Sequence, residues 1–194
     1  FRGAQDSTLV ADGGTLTVGD PNSSVGFSSN GTVMVESSST LILEDRSFAT
    51  VGPMTLLNGG TLEAANGIVL GVGQNLEGSG IVSGKLALAF GSTVNAIGGN
   101  LQLGSSAAVD GFYSDGQLFT NANTVTVLDE TEAVLGSLTD LGTDTVDGGL
   151  IAANGFLLEQ GKNVIGRGTI EGDFENEGLV QGDSTANRIT FAAG

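Results

Sequence analysis

Repetition is the feature that most constrains this chain: a short motif, in which a turn residue precedes alternating apolar and polar residues, returns along most of its length. GGTLTV begins at Gly13, GTVMV at Gly31, STLIL at Ser39, GGTLEA at Gly59 and NTVTVL at Asn123. Alternation with a period of two indicates a strand with one buried face. Because so short a strand cannot stand alone, we expect the repeats to stack, each strand pairing with those of the neighbouring turns.

A longer repeat sets the spacing of these turns. Residues 64–84 (AANGIVLGVGQNLEGSGIVSG) align without gaps on residues 152–172 (AANGFLLEQGKNVIGRGTIEG), with 10 of 21 positions identical. The similar stretches NGGTL and DGGLI just before them extend the duplication to 58–84 and 147–172. The offset of 88 residues corresponds to about four turns of ~22 residues. The sequence therefore predicts one all-β domain over 1–194, a parallel β-solenoid (β-helix) of about nine coils of ~20–22 residues.

Composition agrees with stacked short strands. The chain has 33 glycines and 2 prolines, aromatic residues make up 5%, and the hydrophobic 39% consists mostly of Val, Leu, Ile and Ala. Such a core is built from thin layers of aliphatic side chains joined by frequent tight turns.

Two stretches depart from this pattern. Residues 110–123 are the least periodic and predict a long loop or lateral protrusion. Residues 129–142 place acids ahead of apolar residues at helix-like spacing and end in glycine, which leaves two alternatives open: a helix of one or two turns, or a loop. The acids Asp129, Glu130 and Glu132 are then explained as a solvated turn or a helix N-terminus.

The charge balance limits the partners. Six Lys and Arg residues against 22 Asp and Glu residues give a formal net charge of −16. This charge repels nucleic acid and anionic lipid surfaces, and no apolar run approaches the length of a membrane span. We therefore expect neither nucleic-acid binding nor membrane insertion.

The residue inventory argues against catalysis. The chain contains no His and no Cys, which removes the usual nucleophile–base pairs and most transition-metal sites. It has no Trp, and Tyr113 is its one tyrosine, so aromatic platforms for sugar rings are nearly absent. The sequence predicts that the protein is not an enzyme and needs no organic cofactor.

One acidic run is a candidate metal site. Glu171, Asp173, Glu175 and Glu177 alternate with other residues, so on a continuous strand they would form one outward row. With help from Asp183, such a row would provide the oxygen ligands that calcium prefers. The alternative is a solvated edge whose charges repel unwanted strand pairing.

Residues 166–183 also carry a resemblance. GRGTIEGDFENEGLVQGD resembles the G-x-G-T-I-x-G-x-V-x-N-x-G-x-V-x-P-G repeat of bacterial secreted parallel β-helix proteins, which include autotransporter passenger domains and large planctomycete-type surface proteins. The chain departs from the pattern at Phe174, where Val is common, and at Asp183, which follows Gln181 and Gly182 where Pro-Gly is usual. The resemblance implies a right-handed β-helix, secretion to the cell surface, and a role as stalk, adhesin or fibre. The matching positions are Gly166, Gly168, Thr169, Ile170, Gly172, Asn176, Gly178 and Gly182.

Together these features predict a structural extracellular or cell-surface protein. Both ends of the sequence are strand-like, and the open edges of a solenoid invite head-to-tail stacking with further copies or with other surface components. The alternative is an adhesin, or a calcium-assisted β-helix that binds or cleaves acidic polysaccharides. For the latter, Lys162, Arg167 and Arg188 are the candidate basic partners near the carboxylates.

Overall fold

A computed structural model describes residues 2–22, 26–142, 147–182 and 188–193. All the regular secondary structure within these ranges is β-strand, and every strand pair is parallel. The strands, numbered along the chain, are β1 (Arg2–Gly3), β2 (Thr8–Ala11), β3 (Gly14–Gly19), β4 (Ser28–Ser29), β5 (Thr32–Val35), β6 (Ser39–Glu44), β7 (Ala49–Thr50), β8 (Met54–Ala64), β9 (Ile68–Leu70), β10 (Asn75–Ser83), β11 (Leu86–Leu88), β12 (Thr93–Gly104), β13 (Phe112–Ser114), β14 (Gln117–Phe119), β15 (Thr124–Leu128), β16 (Ala133–Val134), β17 (Leu138–Asp140), β18 (Gly148–Ala152), β19 (Phe156–Leu158), β20 (Asn163–Gly166), β21 (Gly168–Glu171), β22 (Phe174–Asn176), β23 (Leu179–Gly182) and β24 (Ile189–Ala192).

These strands wind into three faces. The first face is the nine-stranded sheet β1-β4-β7-β9-β11-β13-β16-β19-β22, and the second and third faces belong to one 15-stranded sheet. The chain passes the first face nine times, which makes about eight complete turns. The predicted parallel β-solenoid is therefore confirmed, with a coil number close to the predicted nine. We number the coils by their strands: coil 1 (β1–β3), coil 2 (β4–β6), coil 3 (β7–β8), coil 4 (β9–β10), coil 5 (β11–β12), coil 6 (β13–β15), coil 7 (β16–β18), coil 8 (β19–β21) and coil 9 (β22–β24).

The core consists of ladders of aliphatic side chains that run along the solenoid. On the third face, Leu41 lies on Leu62, Leu62 on Val82, and Val82 on Leu103. All four are at most 1% exposed. Because each contributes roughly 1.5–3 kcal/mol by its burial, the stacking stabilises every coil, although the coils at the two ends have one neighbour instead of two.

The first face buries a column in which large and small side chains compensate one another. Ala133 lies between Phe112 and Phe156, and Ala49 lies between Phe27 and Ile68. A packed column has no room for three successive phenylalanine rings. An alanine therefore lies next to Phe27 and between Phe112 and Phe156. In coil order the column is Phe27, Ala49, Ile68, Leu86, Phe112, Ala133, Phe156 and Phe174.

Turn lengths show that the repeating unit is four coils long. At the first corner, between the first and second faces, coils 1, 4, 5 and 8 have turns of four residues, whereas coils 2, 3, 6 and 7 have turns of two or three. At the corner between the third and first faces, turns shorten along coils 2, 3 and 4 and again along coils 6, 7 and 8. The four-residue turns are residues 4–7, 71–74, 89–92 and 159–162.

The sequence repeats with the same period once these turns are aligned. STLVADGGTLTVG (7–19) in coil 1 matches STVNAIGGNLQLG (92–104) in coil 5 at 7 of 13 positions, and FSSNGTV (27–33) in coil 2 corresponds to FYSDGQL (112–118) in coil 6. Strands β9 and β19, from the two segments related by the 88-residue offset, lie four strands apart in the first face. Coils 1–4 are thus repeated as coils 5–8.

Among the irregular stretches, the loop or protrusion expected over 110–123 is wrong, as is the helix alternative over 129–142, whereas the loop alternative holds for the turns 129–132 and 135–137. Residues 110–123 contain β13 and β14, which pair within the first and second faces, and the long turn of this region is residues 105–111 instead. Residues 129–142 contain β16 and β17, and the described residues there form no helix. Strands of two or three residues carry one or two inward side chains, which is too few to give a visible alternation in the sequence.

Candidate functional site

The acidic run of coils 8 and 9 does not form the predicted row. Glu171 ends β21, Gly172 turns the chain at a φ of +119°, and Asp173 precedes β22. Glu175 lies within β22, and Glu177 follows that strand in the next turn. The prediction of one continuous outward strand is therefore wrong, because a corner interrupts it on each side of β22.

Calcium binding by these four acids stays a prediction. Within the ranges the structure covers, no three acidic side chains are grouped so that they could hold a metal ion. Asp183, the fifth expected ligand, lies outside the described residues.

Asp129, predicted to be solvated, is instead a buried corner residue that is 5% exposed. Its Oδ2 atom accepts a hydrogen bond of 2.8 Å from the Phe112 amide. Its Oδ1 atom accepts bonds from the amide (2.9 Å) and hydroxyl (3.1 Å) of Thr131. The prediction was wrong because this carboxylate has three donors inside the protein, which replace the water it would otherwise need.

Asp45 occupies the equivalent position in the turn that follows coil 2 and is 3% exposed. Its Oδ2 atom accepts a hydrogen bond from the Phe27 amide, while its Oδ1 atom is buried without a hydrogen-bond partner among the described residues. Elsewhere at this corner the first amide of the face donates to a main-chain carbonyl of the next coil, as Leu86 does to Gly111 at 2.9 Å. Asp45 and Asp129 each supply a side-chain oxygen where the four-residue turn carries that carbonyl out of reach.

An asparagine of the next coil binds the main-chain carbonyl of each of these aspartates. The side-chain amide of Asn154 donates to the main-chain carbonyl of Asp129 at 2.8 Å, and that of Asn66 donates to the carbonyl of Asp45. A sequence signal for these corners exists in the repeated spacing Asp-x-x-x-Ala, as DRSFA and DETEA. The spacing alone does not separate these two acids from solvated ones, because isolated carboxylates are mostly exposed.

A polar cluster lies at the first corner of the second unit. Lys162 of coil 8 extends to Asp115 of coil 6, with 2.5 Å between Nζ and Oδ1. Burial raises the pKa of the nearby Tyr113 phenol, the charges of Asp115 and Glu159 raise it further, and Lys162 opposes them. The cluster favours a protonated phenol, and the ion pair links coil 8 to coil 6 as a bridge between coils.

The two open edges are the largest unpaired features. No described strand pairs with the outer side of β1, β2 and β3, or of β22, β23 and β24. Two large apolar side chains of coil 9, Leu179 (52%) and Phe191 (51%), are half exposed. The partly buried apolar residues that pack against the core all belong to coils 1 and 9, namely Leu9, Leu16, Val18, Phe174, Val180 and Ile189.

The two edges are complementary when the strand register is continued. The outward row of the first face begins at Arg2 and ends at Glu175. A second copy stacked in register would therefore place its Arg2 beside this Glu175. On the second face the row that ends at Val180 begins at Leu9, so apolar side chains meet in the core.

The third face matches a large residue to a small one. The row that ends at Phe191 begins at Gly14, where an added Cβ atom would have no neighbour within 4 Å. The exposed Phe191 ring therefore has space to cover Gly14 of a second copy.

Among the described residues, no helix is long and apolar enough to cross a membrane. Comparisons of the chain with models of known protein families, with curated proteins and with solved structures find no match.

Proposed function

We propose that this chain is a structural protein of the cell surface or extracellular space, a solenoid subunit or segment of a fibre, stalk or matrix that associates end to end. The complementarity of the two edges carries the proposal, because it pairs opposite charges, apolar side chains, and a large with a small residue in a single register. The resemblance of residues 166–183 to secreted β-helix proteins supports the location. The proposal includes no catalytic activity.

The backbone of the N-terminal edge supports strand addition. The carbonyls of Ser7 and Ala11 accept hydrogen bonds from coil 2, at 2.8 Å from Thr32 and 2.9 Å from Glu36. In a parallel strand, the amide and carbonyl of one residue point the same way and alternate from residue to residue. Val10 therefore directs its amide and carbonyl away from coil 2, towards the open edge.

The C-terminal edge has the matching arrangement. The carbonyls of Arg188 and Ala192 accept bonds of 3.3 Å from Gly168 and Gly172 of coil 8. The intervening residues Ile189 and Phe191 consequently point their backbone groups outwards. Each edge thus offers donors and acceptors in the spacing that a parallel partner strand requires, and heterologous contacts of this kind generate open filaments.

The test compares Val10→Pro with Val10→Thr in the 194-residue chain. Proline removes the outward amide of this edge strand without touching a bond to coil 2, whereas threonine keeps the amide and the β-branched shape. We expect the unchanged chain and the Thr variant to form filaments in electron micrographs, with a subunit repeat of ~43 Å from nine coils at ~4.8 Å. The Pro variant should sediment as a monomer with an unchanged far-ultraviolet circular dichroism spectrum.

Charge reversal examines the register of the same contact. Arg2→Glu or Glu175→Arg alone should weaken association, while the double variant should restore it, because only an in-register stack brings these two residues together. A wild-type chain that stays monomeric at all concentrations, or a Pro variant that elongates normally, would refute end-to-end association.

A further inference from the structure

The first corner has a ridge-and-notch profile that the end-to-end contact does not use. Turns of four residues in coils 1 and 4 stand on either side of the short turns of coils 2 and 3. The space between them, which we call the first notch, is a groove of about 490 Å³. Its walls and floor are Gln5, Asp6, Ser29, Asn30, Pro53, Val72, Gly73 and Gln74.

A ridge of two stacked turns follows the notch. Residues 71–74 of coil 4 and 89–92 of coil 5 are joined by a hydrogen bond of 3.0 Å from the Gly73 amide to the Gly91 carbonyl. Val72 is 80% exposed and Phe90 is 74% exposed, more than any other large apolar side chain described. Neither turn contains a charged residue.

The same profile recurs beyond the ridge. Coils 6 and 7 have short turns, and coil 8 has a turn of four residues, so a second notch lies between coils 5 and 8. Here the Lys162–Asp115 ion pair crosses the notch.

We propose that this corner is a lateral interface between two antiparallel copies of the chain, in which the ridge of each copy fills the first notch of the other. A two-fold axis perpendicular to the rods then sets coil 5 opposite coil 2, coil 4 opposite coil 3, and coil 1 opposite coil 6. Every long turn in this contact meets a short one over six coils. The contact is isologous, so it closes as a pair.

Charge favours the same arrangement. Two copies with a net charge of −16 each repel one another, and the uncharged turns of the ridge let the rods approach along this corner. The axis that places Phe90 near Asn30 also brings Asp6 of coil 1 opposite Asp115 of coil 6 in the other copy, which is ion-paired with Lys162. Lys162 therefore limits the repulsion between these two acids.

The contact is small. Six coils at ~4.8 Å make a contact ~29 Å long and one turn wide. We expect so narrow a strip to bury less than the ~800 Å² per partner of a typical stable interface. A single pair of chains should therefore associate weakly, and the interface becomes effective where many copies are linked in a row.

Disulfide trapping tests the pairing, because the chain has no cysteine of its own. Asn30→Cys and Phe90→Cys in one chain lie three coils apart, ~14 Å by the strand spacing, which is too far for a bond within the chain. The variant carries Val10→Pro as well, so that end-to-end contacts do not contribute. On mild oxidation we expect a shift from monomer to a dimer whose linked peptide, identified by mass spectrometry, joins position 30 to position 90.

The matched control is Phe90→Cys with Ser137→Cys, which a parallel arrangement staggered by two coils would join instead. A dimer from this pair and none from the first would overturn the antiparallel pairing. Random or absent cross-links in both would overturn the lateral interface. Neither result bears on filament formation by the unchanged chain, so failure of this inference is distinguishable from failure of the proposed function.

Discussion

Coils 1–4 and coils 5–8 share their buried framework and differ on their surface. Phe27 and Phe112 stand in the same column, and Gly52 and Gly136 stand at the same corner. The outward residues of the first corner have diverged: Asn30, Gln74 and Ser28 of the first unit correspond to Asp115, Lys162 and Tyr113 of the second. The comparison teaches that the residue type is kept where a side chain contacts the next coil. Where a residue is exposed at the first corner, its type has changed, which leaves an open notch in the first unit and a bridged notch in the second.

The largest effect should come from the glycines that both units keep at the first corner. A Cβ atom on Gly52 would collide with the carbonyl oxygen of Gly31, and one on Gly136 with that of Gly116. Because a backbone group of the adjacent coil cannot move without breaking its ladder, Gly52→Ala and Gly136→Ala should each lower the free energy of unfolding by about 3 kcal/mol or more. Urea denaturation measures the loss.

Gly161→Ala is the control for these two variants. Its Cβ would have no neighbour within 4 Å, and only its φ of +81° opposes a side chain, at about 1–2 kcal/mol. If Gly52→Ala and Gly136→Ala differ strongly from one another, the two units do not share a framework at this corner.

A difference between the units is expected at the buried carboxylates. Both oxygens of Asp129 accept hydrogen bonds, so Asp129→Asn turns an amide group towards a donor and should cost about 1.5–3 kcal/mol. In Asp45 only Oδ2 has a described donor. The side-chain NH₂ group of Asp45→Asn can therefore take the place of the unpartnered Oδ1, and the substitution should change the free energy of unfolding by less than ~1 kcal/mol. Thermal unfolding of the two variants in parallel measures this difference. Equal losses of stability in both variants would contradict the assignment of hydrogen-bond donors.

The smallest effect concerns the bridged notch, where the pKa of Tyr113 is raised. Since the folded pKa lies above the ordinary tyrosine value of ~10, its stabilising contribution is present below that value and is lost as the pH rises through the folded pKa. Asp115→Asn should lower the pKa of Tyr113, and Lys162→Met should raise it. With one tyrosine and no tryptophan in the chain, ultraviolet absorbance follows this titration directly, and shifts in the opposite directions would refute the bridge.

The sequence predicted the architecture because glycine-bounded alternation survives in most strands. It revealed the repeat only at 64–84 and 152–172, where turn lengths are the same in both units and the alignment needs no gap. The equivalence of coils 1 and 5 was hidden by offsets of 85 instead of 88 residues. The helix left open over 129–142 does not form, because Leu135, Leu138 and Leu141 are three residues apart, as on a helix, but belong to β17 and the segments on either side of it.

The candidate surfaces were predicted less well. The sequence indicated strand-like ends, but the pairing of Arg2 with Glu175 depends on a register accumulated over nine strands. The acidic run was misinterpreted because alternation alone does not show that Gly172 turns the chain between Glu171 and Asp173. Asp129 illustrates the same limit, since its burial depends on donors from Phe112, 17 residues away.

The four-coil repeat gives the rod a structural unit of constant length. Coil 4 already stacks on coil 5, so joining a further unit after coil 8 would recreate a boundary that the protein contains. Unequal recombination between repeats in a gene could then lengthen or shorten the rod in steps of ~19 Å, four coils at a time. Each step would preserve the turn profile of the first corner, and with it the spacing at which neighbouring rods interlock.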